Sequence, residues 1–416
     1  MSGKLALYGG EKTIATPLPS YLGSSGRTFG AEEEALVIEA LRSGCLTRNG
    51  GKMVPQLEAE FAQRLGVKHV QACSSGTASV HLAIAALDPE PGDEIIVPPI
   101  TDIGSIAPIL WQNAVPVFAD VDPATLTLDA GDVERRITPR TRAIVAVHLA
   151  GQPCALDELS AIARRHKLVL IEDCSQAYWA EYGGRLVGSI GGMACFSLQQ
   201  SKHITCGEGG LFATNDQQWA RRAALFADKA WPRDAKTLGS CRFLFLAQNY
   251  RMSELQGAVA LAQLRKLPAP VERRRALAAR LDAAIRNIAG VSAPAAPSNT
   301  KHSYWLYMLR IRQETAGATA RQFGEALVAE GVPAWVEYIV DPLYLSPLFT
   351  GPKTYGGSGY PFSAYGAQKF ERGLCPAAER ALHEVIAILW NENYTEAQVD
   401  QIAAAIHKVA AHFGGN

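Results

Sequence analysis

The sequence predicts an α/β protein: a mostly parallel sheet flanked by helices, followed by a smaller α+β C-terminal domain. Three observations predict it. Short apolar runs alternate with amphipathic helical stretches through the first part of the chain. Several of those runs end in loops rich in Ser, Gly and Asp, the edge where an open parallel sheet binds its ligands. Near Leu267 the alternation gives way to Pro268-Ala269-Pro270 and a long Ala/Arg-rich helix, so the division falls between residues 1–266 and 267–416.

Taken in order, residues to about Gly30 show no clear period. Helices are expected over 31–43, closed by Gly44, and over 54–65. A strand over 70–73 feeds a Ser-Ser-Gly-Thr turn and a helix to about Leu87. Buried strands follow at 94–97, 115–118, 143–147, 168–171 and 194–197, with a helix at 157–167 and one more strand at 209–214. Beyond a helix at 249–264 and the long helix at 271–288 come a strand at 304–311, a helix at 320–330 and a last helix at 395–413. The run Arg273-Arg274-Arg275 reads as a solvated helix face.

Composition bounds the function. The chain has 416 residues, 48% of them hydrophobic, and 40 basic side chains balance 40 acidic ones. That length buries a large core. The absence of a basic excess argues against nucleic-acid and membrane partners. No stretch approaches the ~18 apolar residues of a membrane span, and no leader pattern opens the chain. Eight scattered cysteines form no Cys-x-x-Cys pair, and the histidines lack metal-ligand spacing. No metal is expected, and a reducing cytoplasmic setting is.

Three segments carry chemistry. Cys73-Ser74-Ser75-Gly76-Thr77-Ala78 lies between strand and helix, where small residues and a helix N-terminus suit a phosphate, although simple N-capping by Ser or Thr is the plainer alternative. Glu172-Asp173-Cys174-Ser175-Gln176-Ala177 puts an acid at a strand end. Phe196-Ser197 leads to Lys202, His203 and the Gly207-Glu208-Gly209-Gly210 turn. Each alone is weak. In this order they match what pyridoxal 5'-phosphate requires: a phosphate cradle, a carboxylate for the pyridine nitrogen and an amine for the carbonyl.

With Asn249-Tyr250-Arg251-Met252, these motifs resemble the DegT/DnrJ/EryC1/StrS aminotransferases, of the fold-type I pyridoxal-phosphate architecture. The resemblance implies that Lys202 bonds the cofactor's carbonyl and moves the proton, Asp173 pairs with the ring nitrogen, and Gln176 lies against the ring oxygen. Ser75, Gly76, Thr77 and Ser197 would bind the phosphate. Asn249 would reach the cofactor of a second subunit, implying a homodimer with shared sites. One position departs from the pattern: Asp102, in Pro98-Pro99-Ile100-Thr101-Asp102, stands where such proteins stack an aromatic residue on the ring. The amino donor implied is L-glutamine or L-glutamate. The acceptor implied is a keto-cyclitol or keto-sugar, with nucleotide-linked sugars as the near rival. A dehydratase relative would carry histidine at position 202, and a non-catalytic relative would lack the lysine or acid. Candidate acceptor contacts are His203, Glu337, Tyr338, Trp231 and the Tyr355–Tyr360 loop, each also a plausible packing residue.

Overall fold

The computed structural model describes residues 4–233, 242–351, 353–366 and 368–414. Its centre is a seven-stranded sheet: β1 (His69–Cys73), β2 (Glu94–Val97), β3 (Val115–Phe118), β4 (Thr141–Val147), β5 (Val169–Asp173), β6 (Met193–Ser197) and β7 (Gly210–Thr214). The spatial order is β1-β7-β6-β5-β4-β2-β3. β3, β2, β4, β5 and β6 pair in parallel, while β7 runs antiparallel to both β6 and β1. These strands are almost wholly buried. Such near-continuous apolar runs are what a sheet covered on both faces demands.

Because β1, β2, β4, β5 and β6 share one direction, their carboxyl ends share one edge, and the loops after Cys73, Val97, Val147, Asp173 and Ser197 meet there. The registers Val147↔Asp173 and Ser197↔Gly210 bring these ends level.

Helices α1 (Ala31–Arg42) and α2 (Met53–Leu65) pack against the Glu254–Lys266 helix, and α3 (Gly76–Leu87) lies against β6 and β7. The helix expected from Asn249 begins at Glu254. Ser253 caps it, with Gln256 completing the reciprocal capping box, and residues 249–252 before it lie outside any helix.

A second, antiparallel sheet joins Val291–Ser292, Leu306–Ile311, Val385–Leu389 and Ala334–Trp335. The Ala269–Ile285 and Glu396–Phe413 helices pack beside it around a core of Leu281, Tyr307, Phe323, Ile386 and Ile406. Leu5 and Ile14 belong to this core as well. The buried Glu330 carboxylate holds that N-terminal stretch, accepting from the backbone N–H of Ala6 (2.8 Å) and of Thr13 (2.9 Å) and from Lys408 Nζ (2.9 Å). The arginine run is not a solvated face. Arg274 is buried, pairs with Glu392 at 2.7 Å, and donates to the carbonyls of Tyr304 and Trp390, because the helix turns that residue into the core between the C-terminal elements.

Candidate active site

One end of the site is built by close approach of three segments. β1 ends at Cys73, and Ser75, extended at φ −165°, caps α3 by accepting from Ala78 N–H at 3.0 Å. The cap does not use up the helix end: the side chain satisfies one helix N–H and leaves the N-terminal pole of a twelve-residue helix, which favours negative charge, facing the cleft. A Cβ on Gly76 would lie 2.6 Å from Ser197 Cβ, so any larger residue there would have to displace the end of β6. A Cβ on Gly210 would lie 2.1 Å from the Ser75 carbonyl oxygen, which fixes β7 equally closely.

Asp173 closes β5 and is 4% exposed. Its Oδ1 accepts from Ser175 N–H (3.0 Å) and its Oδ2 from the Ser105 hydroxyl (2.7 Å). The preceding Glu172 points the opposite way, as strand alternation requires. Glu172 accepts from Gly188, Ile190 and Gly191 N–H and from His148 Nε2. Since Cys154 N–H donates to His148 Nδ1, the ring proton sits on Nε2. The His148, Glu172 and Cys174 cluster is thus a saturated buried network that tethers the 188–191 loop under the site.

Lys202 stands over Trp305, its Nζ 3.7 Å from the ring centroid, and is 9% exposed. Nζ makes no hydrogen bond among the described residues. Burial pushes the amine down to about 8, against smaller opposing effects of Asp173 and Asp102. The lysine's backbone is clamped: Arg27 Nη1 donates to the Lys202 carbonyl at 2.8 Å, Arg27 Nη2 to the Gln200 carbonyl, and Trp305 Nε1 to the Ser201 carbonyl at 2.9 Å.

These groups border one cleft of about 960 Å³, lined also by Thr77, Asp102, Glu208, Trp335, Glu337 and Tyr338. Gln176 spans its wall, accepting from Ala150 N–H (2.7 Å) and donating to the Tyr338 hydroxyl (3.1 Å). Burial raises the Tyr338 pKa and keeps that phenol neutral. Glu337 is 3.5 Å from Arg321. Asp102 is exposed and caps a short turn at Ile103–Ser105 through Gly104 N–H at 2.7 Å.

Of the residues expected from sequence, Ser75, Gly76, Thr77, Asp102, Asp173, Gln176, Ser197, Lys202, Glu337 and Tyr338 converge on this cleft. His203 does not. It is buried beneath, its Nε2 2.9 Å from the Ser303 carbonyl, and burial drives its pKa down to leave a neutral ring. The chain direction that aims Lys202 into the cleft turns its neighbour into the core. Asn249 is exposed outside the cleft, its backbone bridged to Asp228. Trp231 and Tyr355 border other depressions. Ser105, Arg27, Trp305 and Trp335 were not anticipated. Only Ser105 carried a local signal, three residues after a capping aspartate.

A sequence profile described as the DegT/DnrJ/EryC1/StrS aminotransferase family matches residues 27–407. The L-glutamine:2-deoxy-scyllo-inosose aminotransferase of Streptomyces kanamyceticus is 38% identical over 84% of this chain and 83% of its own length. The GDP-perosamine synthase of Caulobacter vibrioides (strain ATCC 19089 / CIP 103742 / CB 15) is 36% identical over 71% and 78%. Among solved structures, 3-amino-5-hydroxybenzoic acid synthase aligns with a TM-score of 0.83 at 27% identity, covering 96% of this chain and all of that one. The chain belongs to the DegT/DnrJ/EryC1/StrS aminotransferase family and is an aminotransferase of fold type I.

Proposed function

We propose that this aminotransferase moves an amino group from L-glutamine or L-glutamate to a keto-cyclitol, with pyridoxal 5'-phosphate held in the cleft around Lys202. The observation that carries the reading is the placement of a desolvated amine, a doubly hydrogen-bonded carboxylate and a helix N-terminus on one sheet edge.

The residues fit the group. Gly76, where a Cβ would strike Ser197, leaves backbone N–H groups bare at the head of α3. Ser75, Gly76, Thr77 and Ser197 would hold the phosphate, Asp173 the ring nitrogen, and Gln176 the side bearing the ring oxygen. When bound, the cofactor supplies a reactive carbonyl and an electron-withdrawing ring. Lys202 takes the proton from the donor's Cα and delivers one to the acceptor carbon, and its lowered pKa puts a useful fraction in the neutral form near pH 7–8.

The acceptor reading rests on charge. Among the described residues lining the cleft, Lys202 is the one cation, while Asp102, Glu208 and Glu337 join Asp173 as acids. Such a wall disfavours a nucleoside diphosphate. Trp335 and Tyr338 stack at 5.9 Å, 13° from parallel, and offer a flat face to a carbocycle. Both features support an unphosphorylated keto-cyclitol over a nucleotide-linked keto-sugar.

The exposure of Asn249 outside its own cleft supports a homodimer in which it completes the partner's site. Every described cysteine is free, as a reducing cytoplasmic setting would leave it.

The test supplies pyridoxal phosphate, L-glutamine and either 2-deoxy-scyllo-inosose or a nucleotide-linked keto-sugar, with products read by mass spectrometry. Amination of the cyclitol is expected. Amination of the nucleotide-linked sugar alone would reverse the acceptor assignment, and an amine from neither would overturn both.

A further inference from the structure

The turn that departs from the family pattern at Asp102 also carries Ser105, and the hydrogen bonds there run in one direction. Ser105 Oγ lies 2.7 Å from Asp173 Oδ2 and 2.8 Å from Thr101 Oγ1. A carboxylate oxygen only accepts, so the Ser105 proton points at Asp173. A hydroxyl has one proton to give, so Thr101 must donate to Ser105. All three side chains are buried, at 2%, 4% and 4% exposure, so water does not compete for these positions.

The turn is held at both ends. Asp102 caps it through Gly104 N–H. Gly104 is pressed so closely on the phosphate cradle that a Cβ there would lie 2.5 Å from Thr77 Oγ1. Neither the cap nor the contact can change without moving Ser105. Asp173 has one further tether, Ser175 N–H on Oδ1, which is local and fixes only one oxygen. Rotation of the carboxylate about its own axis is stopped by the second.

We propose that Ser105 is a positioning residue for the transamination: the chain Thr101→Ser105→Asp173 fixes the Asp173 carboxylate at the angle needed to meet the cofactor's ring nitrogen. This rests on the assignment of Asp173 made above. It gives position 102 a purpose in place of ring stacking. A capping aspartate shapes the turn, and the turn presents the serine.

The experiment compares Ser105→Ala, Ser105→Thr and Asp173→Asn. The first readout is the affinity of the apoprotein for pyridoxal phosphate, followed by quenching of tryptophan fluorescence. The second is the split of kcat from acceptor KM, and thermal melting of each apoprotein reports folding. Loss of one hydrogen bond to a charged acceptor predicts a roughly ten-fold or greater fall in cofactor affinity for Ser105→Ala, with kcat falling and acceptor KM nearly constant. Ser105→Thr, which keeps the hydroxyl, should recover to within about three-fold. Unchanged affinity and kcat in Ser105→Ala, beside an impaired Asp173→Asn, would overturn the proposal. So would equal losses in the Ala and Thr variants, because packing rather than the hydroxyl would then be responsible. An unimpaired Asp173→Asn would instead place the failure in the assignment of Asp173.

Discussion

Lys202 Nζ lies 3.7 Å above the centroid of the Trp305 ring, and Trp305 Nε1 holds the carbonyl of the residue just before the lysine. One side chain therefore both dries the amine and fixes the loop that carries it. Cation–π attraction favours the charged amine, yet burial is the larger effect, and the amine is pushed down to about 8.

Trp305→Ala should open the amine to water and move its pKa up toward the ordinary 10.5. Cofactor capture needs the neutral amine, so its rate in the native apoprotein should rise with pH through about 8. In the variant that rise should move to higher pH. Stopped-flow uptake of pyridoxal phosphate from pH 6.5 to 10 measures it, and coincident profiles would contradict the role given to Trp305.

The same depression is a stability cost. Between about 8 and 10.5 the unfolded chain holds a proton on Lys202 that the folded chain has lost, so stability from this group rises with pH across that window. Below about 8 the full cost is present, up to about 3 kcal/mol at 1.36 kcal/mol per unit. Lys202→Met apoprotein should therefore be inactive yet more stable than the native apoprotein at pH 7, with the gap narrowing by pH 10. Urea melts at both pH values check this.

Asp173→Asn should lower kcat/KM by about two to three orders of magnitude, because a neutral amide leaves charge developing on the ring unsupported. Steady-state kinetics with saturating pyridoxal phosphate reads it.

Gly76→Ala should weaken cofactor binding by roughly ten-fold or more while leaving the fold intact, since the new methyl has to push the end of β6 away from the cradle. Equilibrium dialysis of the folded variant measures the change.

Glu330→Ala strands three donors and Lys408, and should cost about 2–4 kcal/mol. Limited proteolysis should then cut faster within residues 4–14, the stretch whose backbone Glu330 holds.

The strands of the central sheet were legible because each is a short apolar run closed by turn residues, and the runs at 94–97 and 115–118 coincide with β2 and β3. Asp173 was legible because it closes such a run, and Lys202 because it stands in a loop of short polar residues five positions after another. Trp305 was not, since it approaches from the opposite half of the chain and in sequence is one more apolar residue of the strand expected at 304–311. Adjacency also misled. His203 shares the lysine's loop, but which neighbour faces the cleft depends on backbone geometry that composition does not encode. Arg274 failed for a related reason: three arginines in a row look solvated until the helix is rotated against its neighbours.

Arg27 meets Lys202 across 175 residues of chain, and Asn391 Nδ2 holds the Gly26 carbonyl across 365. During synthesis, the clamp on the lysine is therefore among the first pieces made and among the last to find its seat. A ribosome-bound chain ending near residue 300 would already contain Lys202, Asp173 and the turn from Ser75 to Thr77. It would lack both Asn391 and Glu330, which seat the segment leading to Arg27. Catalytic competence should thus arrive late and abruptly, when the chain through Asn391 docks, so unfinished chains stay silent although their chemical groups are all present.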